Sequence, residues 1–342
     1  MCIPMSRAIC FPQTHTTAMA KYILVTGASG FVGQELVCAL LSSSTDYHLI
    51  LTDIAPPKVL PSADPSRITS TQTDLTDPSA AAALLSTQKW HAIYALHGIM
   101  SSGSEANLEL GYRVNLDAHR NIYDYLRVHQ PGTTVVFTSS VAVYGPPTTA
   151  GPARTFTEST MPLPQTSYGT QKFMIECLLN DYSRRGLLDA RIVRLPAVVV
   201  RAGAPTAAAS SFMSGIVREP LNGQKSILPV DKNLDIWICS PATVVKNLIA
   251  VKDIPVEKFG GLTRTVNLPG VTVKLTDILE ALEAVGGKEA RALVEEKPDP
   301  EIEKFVLSWP EKFDISRALG LGLSQDTPLI ETVRTYAASL KK

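Results

Sequence analysis

The sequence predicts an α/β fold in which helices cover both faces of a doubly wound parallel sheet, with a smaller C-terminal lobe. Short apolar runs of strand length alternate with helical patterns along the N-terminal part of the chain, and this alternation is typical of a parallel sheet. We interpret residues 23–25, 49–52, 91–96 and 133–138 as buried strands. The first run leads directly into three glycines and a helical pattern, which is the second observation that favours this fold.

Three glycines, Gly27, Gly30 and Gly33, follow the first strand at three-residue spacing. Gly27 permits a tight turn, Gly30 lets the backbone approach a pyrophosphate, and Gly33 lets the helix pack closely on the sheet. The unpaired N–H groups and the positive dipole end of that helix favour phosphate binding. The pattern therefore indicates a Rossmann dinucleotide-binding motif, although an ordinary glycine-rich turn between a strand and a helix has the same spacing.

An acidic residue at the end of the second strand bears on these alternatives. Asp53 closes the apolar run at residues 49–52 and lies 20 residues after Gly33, a separation that is typical of dinucleotide-binding folds. A carboxylate here accepts hydrogen bonds from the ribose hydroxyls of an adenosine and repels a 2′-phosphate. We therefore predict NAD as the cofactor, in preference to NADP.

The composition excludes several classes of protein. The 342 residues include 32 lysines plus arginines and 32 aspartates plus glutamates, so no net charge favours nucleic acid or an acidic membrane. No apolar stretch approaches the length of a membrane span. The five cysteines form no C-x-x-C pair, so we expect reduced thiols in the cytoplasm, with no disulfide framework and no metal site.

The domain organisation follows from shifts in pattern along the chain. Residues 1–19 carry one charge and neither an arginine-rich presequence nor an apolar signal core, so we expect a disordered N-terminal extension, with a targeting role as the alternative. Residues 20–200 plus about 240–270 are predicted to form the dinucleotide-binding domain. A substrate-binding lobe is predicted in residues 201–239 plus 271–342.

Two segments of the predicted domain have alternative interpretations. Asp74 and Leu75 follow the third strand, where a residue commonly lies along the adenine, whereas Asp77 equally well caps the helix that starts near Pro78. Residues 105–130 form a long helical pattern that ends at a Pro-Gly pair. Residues 275–285 form an amphipathic helix that ends at a Gly-Gly pair.

A tyrosine and a lysine four residues apart provide candidate acid/base groups. Tyr168 and Lys172 share one face of a predicted helix, and Ser140 lies at the end of the strand before it. A nearby ammonium favours the phenolate and lowers the tyrosine pKa, and Lys172 also suits a ribose contact. The Y-x-x-x-K pattern alone occurs by chance in many helices. After a dinucleotide-binding motif and a strand-end serine, it indicates a catalytic set.

The chain resembles the extended short-chain dehydrogenases/reductases over roughly residues 21–270. The segments T-G-A-S-G-F-V-G, S-S-V-A-V-Y-G and Y-G-T-Q-K match the three motifs of that family in order. The resemblance implies that Ser140, Tyr168 and Lys172 are catalytic and that Asn115 braces the site. It also implies a homodimer that pairs through the helices at residues 105–130 and 167–184.

One position departs from the motifs of that family. Where the family usually has H-L-A-A after the fourth strand, this chain has A-L-H-G, which places His97 beside the cofactor site. His97 either projects towards the cofactor or substrate or is a structural histidine bonded to the backbone. The residues expected to contact the cofactor are Gly27, Ser29, Gly30, Phe31, Val32, Gly33, Asp53, Asp74, Leu75, Leu96, His97, Asn115, Tyr168, Lys172, Pro196 and Val198.

Further blocks resemble a narrower group, the D-erythronate dehydrogenases. These blocks include G-Y-R-V-N-L-D, N-D-Y-S-R-R-G, R-L-P-A-V-V-V-R-A-G-A-P and V-N-L-P-G. The resemblance implies NAD-dependent oxidation of the 2-hydroxyl of a small sugar acid, with Tyr168 as base and hydride transferred to NAD. One departure affects the substrate site, because W-I-C-S-P stands at residues 237–241 where the related enzymes have a W-H-A-S-P-like segment.

A small hydroxy acid requires a receptor for its carboxylate. Residues 207–212 suggest a helix start whose serines, Ser210 and Ser211, and free N–H groups suit an anion, although either serine equally well caps the helix. Arg201 and Arg218 suit bidentate pairing with a carboxylate, or form surface ion pairs. The predicted substrate contacts are Ser101, Ser140, Tyr168, Arg201, Ser210, Ser211 and Arg218.

Two other functions are compatible with the same motifs. A nucleotide-sugar epimerase or dehydratase uses the same three catalytic residues but retains its NAD tightly. A non-catalytic NAD-sensing regulator would share the fold. The intact Ser-Tyr-Lys set argues against the regulator, since a sensor needs no base.

Overall fold

The structure is a computed structural model that describes residues 20–59, 64–146, 155–203 and 210–340. The predicted N-terminal extension at residues 1–19 and the alanines at residues 207–209 lie outside the described residues. The strands are β1 (Lys21–Thr26), β2 (Tyr47–Asp53), β3 (Ile68–Gln72), β4 (Trp90–Ala95), β5 (Thr134–Ser140), β6 (Asp189–Leu195), β7 (Ala197–Val198), β8 (Ser226–Leu228), β9 (Asp235–Cys239), β10 (Thr265–Asn267), β11 (Val271–Lys274) and β12 (Val294–Glu296).

The helices flank these strands in chain order. They are α1 (Phe31–Ser43), α2 (Pro78–Leu85), α3 (Ser101–Ala106), α4 (Leu108–Tyr112), α5 (Ala118–His129), α6 (Ser167–Arg184), α7 (Ser211–Leu221), α8 (Pro241–Lys252), α9 (Leu275–Ala292), α10 (Pro300–Val306), α11 (Ser316–Gly320) and α12 (Leu329–Ser339). No helix in the described part of the chain is both long and apolar enough to cross a membrane.

The described residues form a seven-stranded central sheet with the order β10-β6-β5-β4-β1-β2-β3, and all its neighbouring strands are parallel. The strand order reverses between β1 and β4, and ligands bind at such a switch point in open α/β sheets. One core packs α1 and α8 on one face, and a second core packs α2, α5 and α6 on the other. The predicted doubly wound parallel sheet is confirmed.

A smaller group of elements has its own apolar core. Strands β7, β9 and β11 form a three-stranded sheet, and β8 pairs with β12. Helices α7, α9 and α12 pack around them, with residues such as Met213, Leu279 and Val333 buried between them. Because β7 follows β6 directly, this group begins where the central sheet ends, at the carboxyl edge of its strands.

The long helix predicted at residues 105–130 is divided in the structure. Asn107 has an extended backbone, with φ −142°, and its side chain accepts a hydrogen bond from Leu110 N, so a new helix begins at Leu108. Residues Arg113–Asp117 then form one turn of π-helix before α5. The expected start at Glu105 was therefore wrong, because a capping asparagine interrupts the apolar pattern. In α9, Gly287 has φ 80° and interrupts the helix close to its predicted end.

The turn between β1 and α1 depends on two glycines. Gly27 has φ 67°, and a Cβ there would lie 2.6 Å from the backbone nitrogen of His97. A Cβ on Gly33 would lie 2.4 Å from the carbonyl oxygen of Gly27. The close packing of α1 against this turn therefore leaves no room for a side chain, which places the helix N-terminus directly at the switch point of the sheet.

We expect Gly33→Ala to lower the free energy of unfolding by about 1–3 kcal/mol, because the added methyl forces the turn and α1 apart. Gly320→Ala is the matched control, since Gly320 also lies in a helix and an added Cβ would meet nothing within 4 Å. Urea unfolding of the two variants measures the difference. Equal stability of Gly33→Ala and the wild type would show that the turn relaxes freely.

Two buried imidazoles stack where β4 meets α5. The rings of His97 and His119 are 3.8 Å apart and nearly parallel, and His97 Nδ1 lies 2.7 Å from Thr26 Oγ1. Burial lowers the pKa of His97 to about 3, and the charge of Lys172 acts in the same direction. Burial also lowers the pKa of His119 well below its usual range. Both rings are therefore neutral in the folded protein at neutral pH.

This pair makes stability depend on pH. The unfolded chain binds protons on these histidines below about pH 6.5 and the folded chain does not, so stability is lost from pH 6.5 down to about pH 3. We expect His97→Gln to reduce the slope of unfolding free energy against pH by about 1.4 kcal/mol per unit in this window. Urea midpoints between pH 7 and 5 measure it, with the exposed His129→Gln as control. An unchanged slope in His97→Gln would contradict a neutral His97.

Candidate active site

A cavity of about 650 Å³ opens at the carboxyl ends of the central strands and extends between the sheet and the smaller lobe. It lies at the switch point between β1 and β4, where the fold places ligands. Most of the predicted cofactor residues line it: Gly27, Gly30, Phe31, Val32, Gly33, Asp53, Asp74, Leu75, Leu96, His97, Tyr168, Lys172, Pro196 and Val198. Ser29 and Asn115 are not among its lining residues.

The glycine turn and Asp53 form one end of this cavity. Asp53 Oδ2 accepts a hydrogen bond from Ser29 N at 2.9 Å, and Oδ1 accepts one from Ile54 N at 2.7 Å. These bonds fix the carboxylate at the end of β2, beside the N-terminus of α1. Since any side chain on Gly27 or Gly33 would fill the turn, the cradle has the shape and the polar groups that a dinucleotide requires.

Two acidic residues at this end have local roles. Asp74 lines the cavity, but its Oδ1 accepts hydrogen bonds from the N–H and hydroxyl of Thr76. Asp77 accepts hydrogen bonds from Ser79 and Ala80 and so caps α2, as one of the two interpretations of the sequence predicts.

Arg113 also lines the cavity, although the sequence analysis did not select it. Its Nη2 lies 3.5 Å from the hydroxyl oxygen of Thr76.

The structure brings Ser140, Tyr168 and Lys172 together at the centre of the cavity. Ser140 ends β5, and its Oγ accepts a hydrogen bond from Ala142 N at 3.1 Å, which leaves the hydroxyl proton free to donate. Helix α6 begins beside it because Gly169 has no side chain, since a Cβ there would lie 2.2 Å from the carbonyl oxygen of Ala142. The close approach sets the Tyr168 hydroxyl against Ser140, with which it hydrogen-bonds.

Burial controls the protonation of both titratable groups in this set. It raises the pKa of Tyr168 to about 12, while the hydrogen bond with Ser140 and the charge of Arg201 act in the opposite direction. Burial lowers the pKa of Lys172 to about 7, against the charge of Glu176, which raises it. Lys172 Nζ donates to the carbonyl oxygen of Thr138 at 2.9 Å and lies 5.7 Å from the centre of the Tyr168 ring.

We expected Lys172 to supply the positive charge that lowers the tyrosine pKa. Arg201, which follows the short strand β7, also acts on Tyr168, because its positive charge lowers the tyrosine pKa. Helical spacing could not indicate this effect, because Arg201 comes from a different part of the chain. Lys172 itself is fixed by the backbone of β5, over the face of Phe137.

Asn115 does not line the cavity but holds the elements that form one of its walls. It lies within the π-helical turn, and a π-helical turn inside a helix frequently marks a functional site. Its Oδ1 accepts a hydrogen bond from Ile99 N at 2.8 Å, and its Nδ2 donates to Ile99 O at 3.0 Å and to Gln171 Oε1 at 2.8 Å. The residue is fully buried, so it joins the loop after β4 to helix α6 and fixes one wall of the cavity.

The predicted substrate residues divide into two groups. Ser101, Arg201 and Ser210 line the cavity together with Ser140 and Tyr168, and Arg201 Nη2 donates to Ser210 Oγ at 3.3 Å. The Ser210 side chain therefore contacts the arginine and makes no capping hydrogen bond to α7. Arg218 and Ser211 are not among the lining residues.

Arg218 forms an ion pair, which was the alternative to carboxylate binding, but the pair is buried rather than on the surface. Its Nη2 pairs with Glu219 Oε1 at 2.6 Å, and its Nη1 donates to the carbonyl oxygen of Arg201 at 3.0 Å. It is almost fully buried, so its guanidinium holds the backbone of Arg201 and its charge is balanced by Glu219. Arg201 itself has no acidic partner among the described residues.

His97 does not match the expected structural role in detail. Its ring is bonded to the side chain of Thr26 rather than to the backbone, and its Nε2 is buried without a partner in the described part of the chain. The backbone of His97 packs against Gly27, so the residue borders the cofactor cradle while its ring turns towards His119.

Several residues of the site carried no usable sequence signal. Phe305 lines the cavity from α10, Trp309 and Pro310 line it from the segment that follows, and Met213 and Trp237 line it from the lobe. Apart from Trp237, which opens the W-I-C-S-P segment, these positions belong to no motif, so only tertiary structure brings them to the site. Glu176, by contrast, lies four residues after Lys172, and helical spacing alone indicates that the two share a face.

Comparison with known proteins identifies the group to which this architecture belongs. The profile of the NAD dependent epimerase/dehydratase family matches residues 23–254. A D-erythronate dehydrogenase of Haemophilus influenzae is 37% identical over 316 residues, covering 92% of this chain and 98% of the relative. A D-erythronate dehydrogenase of Cupriavidus necator is 39% identical over 328 residues, covering 92% of this chain and 97% of the relative.

Solved structures show the same architecture. The crystal structure of a nucleoside-diphosphate-sugar epimerase from Agrobacterium tumefaciens matches with a TM-score of 0.85 at 32% identity, covering 98% of this chain and 97% of the other. An L-threonine 3-dehydrogenase from Trypanosoma brucei shares the fold with a TM-score of 0.81 at 23% identity, covering 92% and 94%. The family and the NAD cofactor predicted from the sequence are thereby confirmed. The protein is an NAD-dependent oxidoreductase that belongs to the NAD-dependent epimerase/dehydratase family.

Proposed function

We propose that this protein oxidises the 2-hydroxyl of a small sugar acid such as D-erythronate, with NAD as the acceptor and a Ser-Tyr-Lys set as the catalytic groups. The relatives at 37% and 39% identity are D-erythronate dehydrogenases and align over nearly the whole chain, which supports a sugar acid as substrate. The geometry of the cavity supports the same class of substrate independently.

The observation that carries this proposal is the guanidinium of Arg201. It lines the cavity, is partly buried, and has no acidic partner among the described residues. Burial and the neighbouring Arg218 lower its pKa, so the site disfavours its positive charge. A bound anion would stabilise a partly buried cation of this kind. Because Arg201 and Tyr168 line the same cavity, a carboxylate bound to Arg201 would leave the adjacent carbinol in the space that Tyr168 also lines.

Each catalytic residue has a defined task in this scheme. Tyr168, as phenolate, takes the proton from the substrate hydroxyl, and the Ser140 hydroxyl donates to the reacting oxygen. Lys172 holds the nicotinamide ribose and stabilises negative charge on the tyrosine. NAD, when bound, supplies the hydride acceptor. Gly27, Gly33 and Asp53 hold its pyrophosphate and adenosine ribose at the other end of the cavity.

The first test is NADH formation with a panel of four-carbon 2-hydroxy acids that includes D-erythronate. We expect turnover on D-erythronate, and we expect Tyr168→Phe to lose roughly 100- to 10,000-fold in kcat while its NAD affinity is unchanged, because only the proton acceptor is removed. Near-wild-type turnover of this variant would exclude Tyr168 as the base. NAD that copurifies with the protein, with no net NADH on any acid, would favour an epimerase.

The second test concerns the carboxylate receptor. We expect Arg201→Gln to raise KM for the acid about 100-fold, since a charge-assisted pair with the carboxylate contributes roughly 2–3 kcal/mol. The same variant should move the rising limb of the pH–rate profile to higher pH, because Arg201 lowers the pKa of Tyr168.

The polyol of the same chain length provides the matched control for this variant. The polyol lacks the carboxylate, so Arg201→Gln should not raise the KM for the polyol. The KM of the wild type for the polyol should be as high as the KM of Arg201→Gln for the acid. An equal loss on the acid and on the polyol would show that Arg201 shapes the site without recognising the carboxylate.

A further inference from the structure

A buried carboxylate lies beneath the catalytic helix and takes no part in the scheme above. Glu176 is only 1% exposed and lies one helical turn after Lys172 on α6. Arg194 donates to it through two nitrogens, with Nε at 2.9 Å from Oε1 and Nη2 at 2.6 Å from Oε2. Ser139 Oγ donates to Oε1 at 2.5 Å. With a further bond from Arg194 Nε to Oε2 at 3.2 Å, the carboxylate accepts four hydrogen bonds in the interior, three of them from a guanidinium.

These partners lie next to residues of the site in the sequence. Ser139 immediately precedes Ser140 in β5, and Arg194 lies two residues before Pro196 at the end of β6. Glu176 therefore joins the three elements that carry the catalytic serine, the catalytic tyrosine and lysine, and the segment along the cofactor. Arg194 also donates to the hydroxyl of Tyr144, at 2.5 Å, which extends the network to the turn after β5.

The charges around Lys172 give this network an electrostatic role. On its own helix, Lys172 faces Glu176 and the neutral Tyr168. From the loop after β4 and from α5 it faces His97 and His119, which burial keeps uncharged. From β5 it meets the carbonyl oxygen of Thr138, and Arg194 of β6 lies beyond the carboxylate. Glu176 is thus the acidic group among the described residues that acts on the lysine.

We propose that Glu176 is a positioning residue for the catalytic lysine, whose carboxylate favours the ammonium form of Lys172 while it fixes α6 against β5 and β6. This proposal rests on the proposed function, because it assigns Lys172 to the ribose and the tyrosine. Burial alone would discharge the lysine near neutral pH, since it lowers the pKa of Lys172 to about 7 even with Glu176 present. Without the carboxylate, a neutral amine would form weaker hydrogen bonds to ribose hydroxyls.

The experiment measures the pH dependence of NADH affinity, by fluorescence, together with the pH profile of kcat/KM on the acid that proves to be turned over. In Glu176→Gln we expect the pH at which NADH affinity declines, and the falling limb of the rate profile, to move down by about one unit. Ser139→Ala is the matched control, since it removes one hydrogen bond to the Glu176 carboxylate but keeps its charge. In this variant, the pH at which NADH affinity declines and the falling limb of the rate profile should be unchanged.

Glu176→Gln leaves Arg194 buried without an anion, and that change alone can prevent folding. The double variant Glu176→Gln/Arg194→Gln therefore accompanies it, because replacing both charges of a buried pair is often tolerated. In the double variant we also expect the pH at which NADH affinity declines to move down. The shift should be smaller than in Glu176→Gln, because the positive charge of Arg194 is lost as well. Glu176→Asp, which keeps the charge, should restore the wild-type pH at which NADH affinity declines.

The outcomes separate this proposal from the proposed function. A folded double variant with the wild-type pH dependence of NADH affinity would overturn the role of Glu176, even if the acid is turned over. A shift in Ser139→Ala equal to that in Glu176→Gln would assign the effect to packing and would also overturn it. Failure of every acid as substrate would overturn the proposed function alone, because the NADH measurement still reports on Lys172.

Discussion

The ion pair between Glu176 and Arg194 joins helix α6 to strands β5 and β6, and the arrangement of the site depends on it because each partner lies beside a residue of the cavity wall. Both side chains are almost completely buried, so neither charge has water as an alternative partner. Removing one member of such a pair costs about 3–5 kcal/mol, whereas the intact pair adds little net stability. Its effect in this fold is therefore to specify the position of α6 rather than to stabilise the chain as a whole.

The protonation of the site follows from this burial. Tyr168 and Lys172 lie in an interior that disfavours charge on either group, so their pKa values move in opposite directions, to about 12 and about 7. Both values already include an opposing charge, because Arg201 lowers the pKa of Tyr168 and Glu176 raises the pKa of Lys172. One of these charges comes from the segment after β7 and the other from α6 itself, and burial outweighs both.

The sequence predicted those parts of the structure that local pattern determines. The strand, glycine turn and helix around Gly27 and Gly33 and the shared face of Tyr168 and Lys172 depend on spacing within one or two elements. The break at Asn107 was missed because a single capping side chain outweighed an apolar period. The proximity of Arg201 to Tyr168 follows only from how the lobe returns to the sheet edge, which no local pattern encodes.

The division between the central sheet and the lobe also bears on which substrate fits. The sheet edge supplies the dinucleotide cradle and the residues Ser140, Tyr168 and Lys172, and solved structures of an epimerase and of a dehydrogenase share this fold. The lobe supplies Arg201 together with the aromatic side chains of Trp237, Phe305 and Trp309. A nucleotide sugar would bring the added negative charge of a diphosphate, and Arg218, the other buried arginine beside Arg201, is already paired with Glu219. Among the described lining residues of the lobe, Arg201 is the only cation, and one guanidinium matches one carboxylate.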